Sequence, residues 1–219
     1  MDMKQAPFAR ARRPEQKLQR REAILDAARD LAVRHGVRDV SLGGVASAVG
    51  LAKSNVIRYF GTREEIYLEL AAEEWRAWRD DVVSKLGPTS GASGVVATLA
   101  GTLESRPLLC DLIGHASLSL EYNVSLEAAR AFKRVVLGVV DDLGTAIAAS
   151  GAGLTAGEGA ELAGAASALA GTLYPMANPS PVLSRLYAED PDIAAACPAF
   201  RPTLVRALSA LAVGIPALR

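Results

Sequence analysis

The sequence predicts an all-α fold, and three observations lead to that prediction. Alanine, the strongest helix former, occurs 41 times in the 219 residues. Aromatic residues make up only 5% of the chain, and β-branched runs are short, which disfavours a sandwich or a barrel of strands. Apolar residues recur at helical spacing between stretches that glycine or proline interrupts. A chain of this length can bury its core without disulfides or a structural metal.

The N-terminal part predicts a tail and three helices. Residues 1–15 are basic and contain two prolines, so we expect a disordered arm. Gly36 is suited to end the first helix as its C′ residue, Ser41 can cap the second, and Gly50 ends it. The predicted helices span about 16–35, 42–48 and 52–59. Together they form an expected domain over residues 16–62, here called the head.

Residues 63–219 predict a second, larger helical domain, here called the body. Thr62 can cap its first helix, and Gly87 with Pro88 ends that helix. The predicted helices span about 63–86, 92–105, 107–121, 124–150, 155–175, 181–189 and 200–215. The uncharged run from 162 to 184 is long enough to suggest a membrane span. Its three prolines and Asn178 favour a buried helix followed by a loop, so we expect no membrane contact.

The charges are divided unevenly along a chain of zero net charge. Residues 1–60 hold 12 Lys and Arg and 6 Asp and Glu, a net charge of +6, which leaves −6 on residues 61–219. A basic head on an acidic body indicates a polyanionic partner, although a solvated tail would have the same charge.

Cysteine and histidine are too few for several classes of site. Two cysteines in no CxxC arrangement and two histidines exclude a zinc finger, a c-type haem site and a disulfide framework. The start of the chain has no apolar signal-peptide segment. We therefore expect a cytoplasmic protein with no metal and no cofactor.

Residues 42–59 fit a helix-turn-helix motif. Ala46 is small where the two helices approach, and Gly50 occupies the turn, where a positive φ is cheap for glycine. The second helix carries four polar residues on its outer face: Lys53, Ser54, Asn55 and Arg58. Lysine can donate to guanine, and asparagine can pair with adenine in the major groove. An ordinary helical hairpin with a polar surface is the alternative, and the basic arm favours DNA binding.

This motif and the residues on either side of it resemble the DNA-binding domain of the tetracycline-repressor (TetR) family. The resemblance covers about residues 16–66 and is carried by Arg21 to Ala28, Gly36, Val45-Ala46, Gly50-Leu51, Tyr59-Phe60 and Arg63-Glu64. The remaining chain matches only in length and helix count. The resemblance implies a homodimer that represses transcription from a palindromic double-stranded operator. It also implies a small-molecule effector, of unknown identity, that binds the C-terminal domain and releases the DNA.

The family's DNA contacts map onto this sequence position by position. Its base-reading helix falls on residues 52–59, and its phosphate contacts fall on the start of the second helix, on Tyr59 and on Arg63. The implied DNA-binding set is Ser41, Gly43, Lys53, Ser54, Asn55, Arg58, Tyr59 and Arg63. Two departures matter: Ala52 replaces the usual capping Ser or Thr, and Ile57 replaces a Tyr that supplies a phosphate-binding hydroxyl.

The body contains no coherent nucleophile, base or metal set, so we expect no enzyme and no catalytic residues. A set of aromatic and polar side chains could instead line a ligand pocket: Trp75, Trp78, Leu103, His115, Ser119, Tyr122, Phe132 and Tyr174. For each aromatic residue the alternative is plain core packing. A protein partner is an alternative to a small molecule; a deep apolar cavity would favour the small molecule, and a filled core with an exposed apolar patch would favour the partner.

Two helices of the body are expected to form the homodimer interface, as they do in the family. The helix over 155–175 is rich in glycine and alanine, which lets another helix approach closely. The helix over 200–215 has Leu204, Leu208 and Leu211 on one side. The alternative is that both helices are buried within one chain.

Overall fold

The computed structural model describes residues 8–116 and 120–219, and every regular element in those residues is helical. The α-helices are α1 (Phe8–His35), α2 (Leu42–Ala48), α3 (Lys53–Ile57), α4 (Arg63–Lys85), α5 (Gly91–Glu104), α6 (Pro107–His115), α7 (Leu126–Ala148), α8 (Ala156–Ala177), α9 (Pro181–Glu189), α10 (Pro191–Ala194) and α11 (Phe200–Gly214). A 3₁₀ turn (Ile215–Leu218) follows. The predicted all-α class is confirmed.

Two helices differ from the prediction. The first helix begins at Phe8, so residues 8–15, expected within the disordered arm, are helical here, and residues 1–7 lie outside the described part. Alanine and arginine at positions 9–13 are good helix formers, which explains the extension. In the segment predicted as a helix over 107–121, the α-helix ends at His115, and Ala116 and Leu120 are π-helical.

The head has a small core where α1, α2 and α3 meet. Ile24, Val45 and Val56 are fully buried there. Ala46 is 3% exposed, and its carbonyl oxygen accepts a hydrogen bond from Leu51 N at 2.9 Å. Gly50 has φ +65°, as the tight turn requires. These positions hold α3 against α2 and leave its other side to solvent.

Helix α4 carries the chain from the head into the body. It spans 23 residues, or about 35 Å at 1.5 Å per residue. Thr62 caps it by accepting a hydrogen bond from Glu65 N at 3.1 Å. Within the body, α7 packs against α4 and α8, α6 packs against α8, and α11 packs against α5 and α8.

Glycines let the central helices of the body approach closely. A Cβ placed on Gly159 of α8 would lie 2.7 Å from the carbonyl oxygen of Gly144 of α7. A Cβ on Gly114 of α6 would lie 2.8 Å from the carbonyl oxygen of Gly171 of α8. Both crossings therefore depend on the absence of side chains.

These crossings change the interpretation of α8. The small residues predicted to receive a second copy of the chain are used in part within one chain, because Gly159, Ala163 and Gly171 are buried against α6 and α7. The same holds for α11, where Leu204 and Leu208 are fully buried. What remains on the surface is the opposite side of each helix. Among the described residues, no helix has the length and apolar character needed to cross a membrane.

Candidate DNA interface and effector cavity

The outer face of α3 presents polar side chains to solvent. Lys53, Ser54 and Asn55 are exposed, whereas Val56 is fully buried against the head. Arg58, directly after α3, is also exposed. One buried residue therefore anchors the helix while its neighbours remain available to a duplex.

The caps of the two short helices differ. Ser41 caps α2, because its Oγ accepts a hydrogen bond from Gly44 N at 3.0 Å. The hydroxyl proton of Ser41 is still free to be donated, and Gly43 beside it is exposed. The N-cap of α3 is Ala52, which makes no side-chain cap bond. The sequence predicted that α3 would lack a side-chain cap, and the structure confirms this prediction.

Arg63 is placed differently from the phosphate contact that the resemblance implies. Its Nε donates to the carbonyl oxygen of Val40 at 2.5 Å, and its guanidinium also donates to Val37 O and pairs with Glu64 at 3.2 Å. The guanidinium lies over the ring of Tyr67, 4.9 Å from the centroid. Arg63 therefore fastens the start of α4 to the loop between α1 and α2. Tyr59, another phosphate contact that the resemblance implies, is half-buried.

The structure adds two basic residues that the sequence patterns did not single out. Lys17 and Arg20 of α1 line a cleft of about 430 Å³ together with Asn55, Arg58 and Tyr59. They belong to the first helix, more than 20 residues before the motif, and only the packing of the head brings them to the same surface as α3.

A second contact that the sequence did not indicate joins the body to the head. Asp111 of α6 accepts a hydrogen bond from Val37 N at 2.8 Å. Burial alone would raise the pKa of Asp111, but hydrogen bonds from His115 and from Val37 N outweigh it and hold the pKa below its ordinary value. The side-chain hydrogen bond between His115 and Asp111 raises the pKa of His115. His115, expected to contact a ligand, is thus engaged at this junction.

The body has a cavity of about 660 Å³ that opens to solvent and lies between α4, α6, α7 and α8. Its walls are mostly apolar, and the charged pair of Lys133 and Glu121, 2.7 Å apart, borders it. Lining residues include Trp75, Ile113, Gly114, Phe132, Val136, Val140, Ser167 and Gly171.

The cavity includes only part of the predicted ligand set. Trp75 and Phe132 line it. Trp78 is fully buried elsewhere, where its Nε1 donates to Thr102 Oγ1 at 3.0 Å, and Leu103 is fully buried too. Plain core packing, the alternative considered for such residues, describes both.

The other members of that set lie outside the cavity. Tyr122 is 82% exposed. Tyr174 packs edge-on against Phe200, with ring centroids 6.1 Å apart. Ser119 lies outside the described residues.

Cys110 is a buried thiol of α6. Burial raises the pKa of Cys110 to about 12, so its thiolate is not available as a nucleophile. No group of three or more potential metal ligands occurs in the described part of the chain.

The fold and site define a helix-turn-helix DNA-binding protein whose helical body contains a ligand-sized cavity. Two family models match the chain: "Bacterial regulatory proteins, tetR family" over residues 24–70, and "Tetracyclin repressor-like, C-terminal domain" over residues 72–219. The chain belongs to the tetracycline-repressor family and is a ligand-responsive, DNA-binding transcriptional regulator.

Solved structures share the fold at low sequence identity. The fatty acid degradation regulator FadR from Bacillus halodurans matches with a TM-score of 0.55 and 16% identity, over 88% of this chain and 97% of that one. FadR from Thermus thermophilus, a transcriptional repressor solved with lauroyl-CoA, matches with a TM-score of 0.54 and 16% identity, over 90% and 92%. A TetR/AcrR-family regulator from Thermobifida fusca matches with a TM-score of 0.51 and 18% identity, over 92% and 99%. No curated protein sequence matches the chain.

Proposed function

We propose that the chain acts as a homodimeric repressor that leaves a two-fold symmetric operator when a small molecule fills the body cavity. The observation that carries this proposal is the outer face of α3, where Lys53, Ser54 and Asn55 are exposed beside a buried Val56. Such a face can enter a major groove and read base edges. We place the protein in the cytoplasm, with the genome it regulates, and assign it no catalytic activity.

The homodimer would use the surfaces that α8 and α11 leave exposed. On α8 these include Ala168 and Thr172, which also line the cavity, so the interface would border it. On α11 they include Ala210 and Val213, of which Val213 is 74% exposed. A two-fold axis through these helices would present two copies of α3 to one duplex, and the operator would then share that symmetry.

The cavity supports a small molecule rather than a protein partner as the effector. Its volume of about 660 Å³ is within the range of ligand pockets, about 300–1,000 Å³. The Trp75 and Phe132 rings and several aliphatic side chains form its walls, so an apolar molecule with few polar groups fits best. The FadR proteins of Thermus thermophilus and Bacillus subtilis, solved with lauroyl-CoA and stearoyl-CoA, share the fold, and the ligand class proposed here is based on the cavity of this chain.

Two helices connect this cavity to the same loop of the head. Trp75 of α4 lines the cavity, and Arg63 at the start of α4 holds the carbonyl oxygens of Val37 and Val40. Ile113 of α6 also lines the cavity, and Asp111, two residues earlier, holds Val37 N. A ligand that displaces either helix would therefore shift the loop that precedes α2.

The DNA part of the proposal is tested by selecting binding sites from random duplex DNA. We expect enriched sequences with a dyad and half-sites that a two-fold dimer can span. Enrichment of asymmetric sequences, or no enrichment, would contradict the proposed docking.

The effector part is tested by titrating compounds that release the selected DNA while tryptophan fluorescence is followed. Because coupling between two sites is reciprocal, operator DNA should weaken ligand binding by the same factor by which the ligand weakens DNA binding. Equal ligand affinity with and without operator would contradict allosteric release.

A further inference from the structure

The cleft between α1 and α3 contains three basic side chains. It measures about 430 Å³ and is lined by Lys17, Arg20, Leu51, Asn55, Arg58 and Tyr59. Lys17, Arg20 and Arg58 are exposed. Within the described part of the chain, none of the three forms an ion pair with a carboxylate, so their positive charges are uncompensated.

Among the described residues, two other arginines of α1, Arg21 and Arg29, are paired with carboxylates, unlike Lys17 and Arg20. Both terminal nitrogens of Arg21 contact the carboxylate of Glu69 on α4, and its guanidinium lies 4.7 Å from the centroid of the Phe60 ring. Arg29, two turns further along α1, pairs with Glu73 at 2.6 Å and with Glu74 at 2.5 Å. These contacts fasten α1 to α4 and so fix the side of α1 on which Lys17 and Arg20 lie.

We propose that the cleft between α1 and α3 binds one phosphodiester of the DNA strand that borders the groove entered by α3. Arginine offers a planar fork of donors to phosphate oxygens, and lysine adds a point charge. Tyr59 supplies a neutral donor at the same surface. The inference rests on the proposed DNA binding, and it assigns Lys17 and Arg20 to a contact that is independent of the base sequence.

Such a contact would orient the head on the duplex. A phosphate held between α1 and α3 would fix the depth and the register of α3 in the groove, while Lys53 and Asn55 remain free for base edges. The expected signature is a loss of affinity that is uniform across sequences and a weaker dependence on salt.

The test compares the full chain with the Lys17→Ala/Arg20→Ala double variant. Binding is followed by fluorescence anisotropy of two labelled duplexes, one selected by the wild-type chain and one 30-bp duplex of random sequence, between 50 and 200 mM KCl. We expect the double variant to bind both duplexes more weakly by the same factor, about sixtyfold at 0.1 M salt, with a log–log salt slope shallower by about 1.8, the value of two phosphate contacts, one for each protomer of the dimer.

Two matched variants separate charge from folding and from general electrostatics. Lys17→Arg/Arg20→Lys keeps the charges and should retain most of the affinity. Lys85→Ala/Arg130→Ala removes two exposed cations of the body and should leave the slope unchanged. Thermal unfolding, followed by circular dichroism, should give the same midpoint for all variants because the substituted side chains are exposed.

The outcomes distinguish this inference from the proposed function. If the wild-type chain binds neither duplex, the proposed DNA binding fails. If it binds but the Lys17→Ala/Arg20→Ala variant matches the body control, only the phosphate contact is overturned. A loss confined to the selected duplex would also overturn it, since that result indicates base reading. Displacement of DNA by 10 mM inorganic phosphate at constant ionic strength, in the wild type but not in the double variant, would indicate a free-anion site instead.

Discussion

Several cations of the body form ion pairs with carboxylates, whereas the cations around α3 do not in the part of the chain that the structure describes. On the body, Arg106 pairs with Asp81 at 2.6 Å, Arg79 with Asp142 at 3.1 Å and Arg201 with Glu104 at 3.1 Å. Around α3, Lys17, Arg20, Lys53 and Arg58 are exposed and form no ion pair within the described residues.

Clustering distinguishes the surface around α3. Lys85 and Arg130 of the body are also exposed without an ion pair among the described residues, but Lys17, Arg20 and Arg58 share one cleft. The ion pairs on the body neutralise each other, and the exposed ones contribute little to stability. The uncompensated charges of the head are instead available to phosphates, whose neutralisation releases counterions. A chain of zero net charge can therefore carry a localised DNA-binding surface.

Packing distinguishes the body too, because its helices α7 and α8 cross closely at Gly144. The largest predicted effect tests this crossing. Gly144→Ala should lower the free energy of unfolding by about 3 kcal/mol, because the new Cβ would overlap the Ala156 carbonyl oxygen and lie 2.8 Å from Ala160 N. Gly138→Ala, on the same helix with nothing within 4 Å of its Cβ, is the control. It should instead stabilise by about 0.5–1 kcal/mol, since alanine is the better helix former. Urea unfolding measures both, and equal signs would contradict the close crossing.

The next largest effect is expected for base reading by the head. Asn55→Ala should lose about 1–3 kcal/mol of binding to a selected duplex and relax specificity at one base step in each half-site. Its free energy of unfolding should not change, because Asn55 is exposed. Repeating the site selection with the variant checks the prediction. An unchanged consensus would mean that Asn55 does not read a base.

The junction between the parts should respond to pH. The pKa of His115 is raised above its ordinary 6.5 by its hydrogen bond to Asp111, so its stabilisation is complete below that value and is lost as pH rises through the raised pKa. Urea unfolding of wild type and His115→Gln should differ by about 1.5 kcal/mol more at pH 5.5 than at pH 8.5, the lower end of the range for a hydrogen bond to a charged group. A difference that does not vary with pH would exclude protonated His115 as the stabilising form.

The smallest effect is expected for a paired cation of the body. Arg201→Ala should change the free energy of unfolding by less than about 1 kcal/mol, because its pair with Glu104 is exposed. Its DNA affinity and salt slope should equal those of the wild type. A shallower slope for this variant would mean that DNA also contacts the body, and the contrast between the two parts would be lost.

The sequence predicted helix ends and turns well where a capping residue, a glycine or a proline marked them. Ser41 and Thr62 cap the helices expected of them, Gly50 has the positive φ of the turn, and Pro107 begins α6. Side-chain capping and backbone conformation involve residues a few positions apart, so the sequence contains both partners. The family assignment of the head depended on the same local pattern.

The ligand set was predicted less well for a physical reason. Trp75 and Trp78 are three residues apart on one helix, yet Trp75 lines the cavity and Trp78 bonds to Thr102 in the core. Residues three positions apart point in directions that differ by about 60° around the helix axis, and this difference places Trp75 at the cavity and Trp78 in the core. Spacing along α4 does not specify which neighbouring helix each ring meets.

By itself the sequence determined the all-α class, the helix-turn-helix and the polar outer face of α3, because each depends on propensity, capping and periodicity within a short segment. Only the tertiary structure decided that Lys17 and Arg20 join α3 at one cleft, that Arg63 binds the loop after α1, and that Asp111 reaches Val37, 74 residues away. Such contacts depend on how helices cross, and crossings are set by the packing of side chains from distant segments.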